Sequence, residues 1–276
     1  MVTRFAGNFL FSFCSIFQLL GKTVAIKKSI NLFENEIDSK SWSGRCALIY
    51  FLLTCVWFCP AKRTLREVKI LRHLGEHENV VKLLDIMTDP PNSDDFHSLY
   101  LVLDYYESDL LSIIRSQQRL TERHYKCFIS QILKALKYMH SAKVIHRDLK
   151  PGNVLLNADC QLGLCDFGLS RGVDDEMGDL TEDVVTLWYR APEIMCSGGQ
   201  YDEKVDLWSV GCTLGELVWG KPLFPGSTVA KQLRLIVSAL GIPDEADLKE
   251  TCGESAIRLI QNTKLKQPPR KLSLFA

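Results

Sequence analysis

The chain has 276 residues, with 33 lysines and arginines balanced by 33 aspartates and glutamates. Because the charges cancel, no overall field attracts it to nucleic acid or to an acidic membrane surface. Its length allows one two-lobed domain or two small ones. The ten cysteines lack the paired spacing of a zinc site and the density of a small secreted fold, so we expect a reducing, cytoplasmic location, with the nucleus as a second compartment.

Two apolar runs complicate this interpretation. Residues 5–20 follow Arg4 and resemble the core of a signal peptide, whereas residues 46–59 are too short to cross a bilayer comfortably. The first run leads directly into residues 22–28, whose alternating pattern is typical of a half-buried strand. We therefore favour a chain without a membrane anchor and keep a secreted or anchored protein as the alternative.

The elements that follow change character near residue 107. The first part carries a helical pattern from Ala61 to the stop signal Gly75, and then strand patterns at 80–87 and 99–106. In the second part the apolar positions repeat at helical spacing. The helices predicted there cover residues 121–142, with Thr121 as the N-cap, 204–219 and 228–240. An α+β fold with a small β-rich part and a larger helical part is the expected architecture.

Three motifs in the second half carry side chains suited to phosphoryl transfer, which depends on positioning and on charge neutralisation. HRDLKPGN supplies a carboxylate (Asp148) to accept a hydroxyl proton, a cation (Lys150) for the moving phosphate and an amide (Asn153) for a metal ion. DFG adds Asp166 as a second metal ligand, and APE follows at 191–193. Any one motif could be a solvated loop with a capping aspartate. All three in this order form the protein kinase signature set.

The chain therefore resembles the eukaryotic Ser/Thr protein kinases. The resemblance implies a bilobal kinase fold that uses ATP and Mg²⁺. The N-lobe would cover 21–106 with an apolar insert at 39–61, and the C-lobe would cover 107–276 and be truncated at its C-terminus. Residues 1–20 would be an apolar leader outside the kinase.

The resemblance also implies a nucleotide site. Lys27, in the VAIK segment, would hold the α- and β-phosphates, and Glu67 would be its ion-pair partner, although Glu67 could be an ordinary exposed helix carboxylate. Asp206 would be the buried carboxylate that supports the catalytic loop HRDLKPGN. The remaining cofactor-binding residues, which would meet adenine, ribose or metal, are Ala25, Leu103, Asp104, Tyr106, Asp109, Leu155 and Asp166, with Asn153 and Asp166 as the metal ligands.

Several segments narrow the resemblance to the MAP kinases, with the cyclin-dependent kinases close by. Lys150 with Thr186 is typical of Ser/Thr specificity, and residues 184–195 and 220–226 resemble kinases that prefer proline after the target hydroxyl. The implied partners are protein substrates with Ser/Thr-Pro sites and an upstream activating kinase. We expect a monomer that binds neither nucleic acid nor membrane.

The activation segment departs from the MAP kinase pattern. MAP kinases carry Thr-x-Tyr, whereas this chain has Thr181 followed by Glu and Asp, so Thr181 is the single candidate phosphosite. Three arginines at matching positions, Arg66, Arg147 and Arg171, could hold its phosphate through charge-assisted hydrogen bonds. The alternative is that Thr181 is an unmodified loop residue.

Two further departures bear on activity. Upstream of Lys27 there is no G-x-G-x-x-G to cradle the nucleotide phosphates, which predicts weaker nucleotide binding. The insert at 39–61 interrupts a family pattern that its removal would restore in frame, so we interpret it as translated intron. The leading hypothesis is an ATP-dependent Ser/Thr kinase of MAP kinase type. The alternative is a catalytically impaired kinase-fold binding module, either a pseudokinase or a mis-spliced variant.

Overall fold

Strands dominate the first part of the chain and helices the second. The computed structural model describes residues 13–19, 22–30, 60–91, 96, 98–172, 187–196 and 201–263. The strands are β1 (Phe13–Leu19), β2 (Lys22–Ile30), β3 (Leu83–Asp89), β4 (Ser98–Asp104), β5 (Ser108–Asp109), β6 (Val144–Ile145), β7 (Val154–Leu156), β8 (Leu162–Leu164) and β9 (Arg171–Gly172). The helices are α1 (Pro60–Leu74), α2 (Leu110–Arg115), α3 (Glu122–Ser141), α4 (Pro192–Cys196), α5 (Lys204–Trp219), α6 (Val229–Leu240), α7 (Glu245–Thr251) and α8 (Glu254–Gln261).

The small lobe is built on an antiparallel sheet with strand order β1-β2-β4-β3. β1 pairs with β2 from Leu19 opposite Lys22 to Phe13 opposite Lys28. Because only two residues separate these strands, antiparallel pairing is the favoured arrangement. The sequence suggested that the lobe starts at residue 21. The sheet instead includes β1, which lies upstream of that residue and belongs to the expected leader. Aromatic and β-branched residues in that run suit a strand as well as they suit a signal peptide.

Helix α1 forms where the sequence predicted it. Pro60 occupies the first helical position, where its missing N–H is not needed, and Ala61 is only 2% exposed. The helix ends at Leu74, and Gly75 follows with a φ of +62°, which is accessible to glycine without strain. The last two residues of the expected insert therefore begin this helix, and residues 39–59 lie outside the described part of the chain.

The connection from α1 to the sheet joins the two lobes. The Val81 N–H donates to the Leu164 carbonyl at 2.9 Å, and the Leu164 N–H donates to the Asn79 carbonyl at 2.9 Å. The backbone before Leu83 is therefore bonded to β8 of the large lobe. For this reason β3 starts at Leu83, later than the predicted start at residue 80.

The large lobe is organised around α3. The Thr121 N–H bonds to His124 Nδ1 at 3.0 Å, which closes the first turn of the helix. The predicted apolar face is buried, since Phe128, Ile132 and Met139 are at most 2% exposed. One hydrophobic core continues from this face to β4 and α1 in the small lobe. Among the described residues, no helix is both long and apolar enough to span a bilayer.

Truncating one buried ring of α3 should destabilise the whole fold. Phe128→Ala should lower the free energy of unfolding by about 3–5 kcal/mol, because it removes apolar contacts and leaves a cavity. Leu133→Ala on the same helix is the matched control, since Leu133 is 41% exposed. Its effect should stay within about 0.5 kcal/mol. Urea unfolding of both variants tests this, and similar losses in the two would contradict the packing described for α3.

Candidate active site

An ammonium group between the lobes contacts two carboxylates. Lys27 Nζ on β2 lies 2.9 and 2.8 Å from the two carboxylate oxygens of Glu67 on α1. The same nitrogen lies 3.3 Å from Asp166 Oδ1, just before the 3-10 turn Phe167–Leu169. Lys27 thus contacts the carboxylate that the sequence suggested as its partner, and Asp166 joins the pair.

The protonation states in this cluster depend on one another. Burial alone would lower the pKa of Lys27, but the nearby Asp166 and Glu67 raise it above its ordinary value. Burial alone would raise the pKa of Asp166, but the Lys27 ammonium holds it below its ordinary value. Burial, reinforced by Asp166, raises the pKa of Glu67 despite the contact with Lys27. At neutral pH the cluster therefore presents a cation and an ionised Asp166 carboxylate.

The HRDLKPGN residues lie together in the loop between β6 and β7. Lys150 Nζ lies 2.8 Å from Asp148 Oδ2. Asn153 Nδ2 donates to the Asp148 carbonyl at 2.8 Å and to Asp148 Oδ2 at 3.1 Å. The structure thus brings the three predicted catalytic residues into one hydrogen-bonded group, with the Asp148 carboxylate at its centre.

A buried carboxylate below this loop fixes its backbone. Asp206 at the start of α5 is 0% exposed and accepts hydrogen bonds from the N–H of His146 at 2.9 Å and of Arg147 at 2.8 Å. His140 Nε2 on α3 lies 2.8 Å from the same carboxylate. Arg147 has a φ of +68°, an unfavourable conformation for a residue with a side chain, and the bonds to Asp206 offset its cost.

The residues predicted to contact adenine lie on β2, on β4 and just after it, and on β7. Ala25 stands opposite Leu103 in the sheet, two positions from Lys27. The Asp104 N–H is bonded to the Lys82 carbonyl at 3.1 Å, and burial raises the pKa of the Asp104 carboxyl. Leu155 is partly buried against the main core, as a core leucine would also be. Ala25 and Leu103 are thus strand neighbours close to Lys27.

Asp109, expected near the ribose, has a structural role in the described chain. Its carboxylate accepts from the Ser112 N–H at 2.8 Å and from Ser112 Oγ at 2.7 Å, and so it caps α2.

A further residue, Gly163 on β8, was not singled out from the sequence. A Cβ at this position would lie 2.4 Å from Tyr106 Oη, so the half-buried Tyr106 ring requires glycine there. An isolated glycine within a strand pattern was the available signal.

Of the predicted regulatory residues, Thr181 lies outside the described part of the chain. Arg66 Nη1 donates to the Gly168 carbonyl at 2.7 Å, which ties α1 to the DFG segment. Burial lowers the pKa of Arg147, and the positive charges of Arg171 and Arg190 lower it further. The guanidinium groups of Arg171 and Arg190 are thus close enough to Arg147 to repel its charge, and a bound anion would relieve that repulsion.

The protein kinase domain family matches residues 54–275 of this chain. The chain belongs to the protein kinase family. It is 47% identical over 241 residues to mitogen-activated protein kinase 1 of Oryza sativa subsp. japonica, covering 87% of this chain and 54% of that protein. It is 45% identical over 251 residues to mitogen-activated protein kinase 4 of Arabidopsis thaliana, covering 91% of this chain and 60% of that protein.

The predicted bilobal kinase fold and the MAP kinase resemblance are confirmed by these matches. A third relative, mitogen-activated protein kinase 6 of Arabidopsis thaliana, is 47% identical over 240 residues, which cover 87% of this chain and 54% of that protein. The chain thus spans little more than half the length of the relatives it matches. HRDLKPGN, DFG and APE lie inside the matched residues 54–275, whereas Lys27 lies outside that range.

Removing the charge of Lys27 should lower the free energy of unfolding more than removing the charge of Lys28. Lys27→Met leaves the Glu67 carboxylate buried without its partner and should destabilise the fold by about 3–5 kcal/mol. Lys27→Met with Glu67→Leu should recover much of that loss, because the uncompensated charge leaves with its partner. Lys28→Met is the matched control on the same strand. Lys28 Nζ lies 5.1 Å from the Tyr100 ring centre, a contact worth about 1 kcal/mol.

Urea unfolding at neutral pH gives the four free energies needed. A double variant no more stable than Lys27→Met would contradict the assignment of the loss to an unpaired buried carboxylate.

Proposed function

We propose that this chain is an ATP-dependent Ser/Thr protein kinase of MAP kinase type that phosphorylates protein substrates at Ser/Thr-Pro sites within a signalling cascade. The observation that carries the proposal is the convergence of two groups, Lys27 with Glu67 and Asp166, and Asp148 with Lys150 and Asn153. Such a set provides a phosphate-binding cation, oxygen ligands for a metal ion and a base.

The residues present fit ATP and a divalent cation. Asp166 offers an ionised carboxylate, and the Asn153 amide oxygen can act as a ligand because Asn153 Nδ2 donates to Asp148. An oxygen donor set of this kind suits Mg²⁺. Lys27 would hold the nucleotide phosphates, and the surface formed by Ala25 and Leu103 would face adenine. Bound MgATP supplies the γ-phosphoryl group and neutralises part of its charge.

The side chains of the loop then have distinct tasks. The Asp148 carboxylate accepts the proton of the substrate hydroxyl and orients its oxygen towards the phosphoryl group. Lys150, 2.8 Å from Asp148, contributes positive charge where negative charge develops. Burial lowers the pKa of Arg190, whereas the nearby Asp148 carboxylate acts to raise it, so the two side chains are close to each other. In this proposal Arg190 would therefore lie beside the substrate.

The regulatory part of the proposal rests on charge. Phosphorylation of Thr181 by an upstream kinase would add a dianion that the guanidinium groups of Arg147 and Arg171 can bind. The protein would act as a monomer in the cytoplasm, with the nucleus as a second compartment. These assignments remain predictions.

A second candidate is a kinase-fold binding module without turnover. It is favoured by β1, which leads into β2 without a glycine-rich stretch that could present backbone amides to phosphates. The two candidates differ in one observable property, the transfer of phosphate to a substrate hydroxyl.

Replacing the proposed base should abolish transfer. Asp148→Asn should lower kcat by about 10²–10⁴-fold on a Ser-Pro peptide, because the variant has no carboxylate to accept the hydroxyl proton. Asp247→Asn on the surface of α7 is the control and should leave kcat unchanged. Transfer of radiolabelled phosphate from ATP measures both, after phosphorylation by a MAP kinase kinase. A chain that shows no transfer above the Asp148→Asn background would favour the binding module.

A further inference from the structure

Two cysteines distant in sequence meet on the helical lobe. Cys196 is the last residue of α4, and Cys252 directly follows α7. The Gly253 N–H donates to the Cys196 carbonyl at 2.9 Å, so the backbones of the two cysteines are neighbours. The neighbouring Cys252 thiol also acts on the pKa of Cys196, which agrees with this proximity. Both are free thiols in the described structure.

The two thiols share an apolar environment but differ in access. They belong to a cluster that includes Leu233, Val237 and Ile260. Cys196 is 7% exposed, whereas Cys252 is half-buried and therefore open to small solutes. Burial raises the pKa of Cys196 to about 12, and the neighbouring Cys252 thiol contributes to this rise. Because the thiolate is the reactive form, Cys252 is the better first target for an oxidant.

We propose that Cys196 and Cys252 form a redox-sensitive pair that hydrogen peroxide converts into a disulfide. Peroxide oxidises the Cys252 thiol to a sulfenic acid and is itself reduced, with release of one water molecule. The Cys196 sulfur then attacks the sulfenic sulfur, an S–S bond forms, the S–O bond breaks, and the hydroxyl leaves with the Cys196 proton as a second water molecule. A dithiol reductant reverses the reaction by thiol–disulfide exchange.

The bond would join two parts of the lobe that already touch. α4 packs against α6, and α6 packs against α8, which begins two residues after Cys252. A disulfide here requires little movement of the folded backbone, and it restricts the unfolded chain between residues 196 and 252. The proposal concerns the thiols alone and stands apart from the kinase activity proposed above.

Mass spectrometry tests the bond directly. The reduced chain is treated with hydrogen peroxide, its remaining thiols are alkylated, and it is digested with trypsin without reductant. Cys196 lies in the tryptic peptide 191–204 and Cys252 in the peptide 250–258, and each peptide has a single cysteine. We expect these peptides to be joined, with two hydrogens fewer than their summed mass, and to separate on addition of dithiothreitol.

A stability measurement gives a second readout. Oxidation of the unmodified chain should raise its Tm by on the order of 5 °C, and dithiothreitol should reverse the rise. Cys252→Ser should abolish the crosslink and the reversible rise, whereas Cys127→Ser, which removes an exposed cysteine on α3, should preserve both. The reduced Cys252→Ser variant should melt cooperatively.

Two results would overturn the proposal. One is an oxidised chain in which peptide 250–258 gains oxygen atoms while Cys196 remains fully alkylated. The other is a crosslink that joins either cysteine mainly to a different partner. Both are read on the unmodified chain, so they do not depend on the folding of a variant.

Discussion

One ammonium group links the sheet, helix α1 and the large lobe. Lys27 contacts Glu67 from α1 and Asp166 from the segment after β8, so the sheet, the helix and the large lobe meet at its nitrogen. Without that positive charge, the buried Glu67 carboxylate and the half-buried Asp166 carboxylate would face each other in a region of low dielectric, which is strongly unfavourable. The position of α1 is therefore coupled to the DFG segment, and Arg66, which donates to the Gly168 carbonyl, reinforces the coupling.

A second constraint, the hydrogen bonds of Asp206, positions the catalytic loop that carries Asp148. Asp206 holds two backbone N–H groups of the catalytic loop and is itself bound by His140, so the loop is anchored to both α3 and α5. Asp148 follows in the same loop and is held in turn by Asn153. A base must be held in place within a fraction of an ångström to be effective, and side chains on a supported loop satisfy that need.

The sequence predicted much of this because its local signals agree with one another. The Thr121 cap and the apolar repeat that follows define α3, and the kinase motifs place Lys27 beside Glu67. The strand Phe13–Leu19 could not be predicted, because an apolar run fits a strand and a signal peptide equally well. Asp109 caps α2 by accepting from the backbone N–H and the hydroxyl of Ser112, a local role that the family resemblance does not register.

Binding of MgATP tests whether Lys27 organises a nucleotide site in a chain without a glycine-rich loop. The measurement is the free energy of unfolding of the unmodified chain and of Lys27→Met, each with and without MgATP. At 100 times the dissociation constant, MgATP should stabilise the unmodified chain by about 2.7 kcal/mol. At the same concentration it should stabilise Lys27→Met much less. No stabilisation of the unmodified chain, or equal stabilisation of both, would contradict the account.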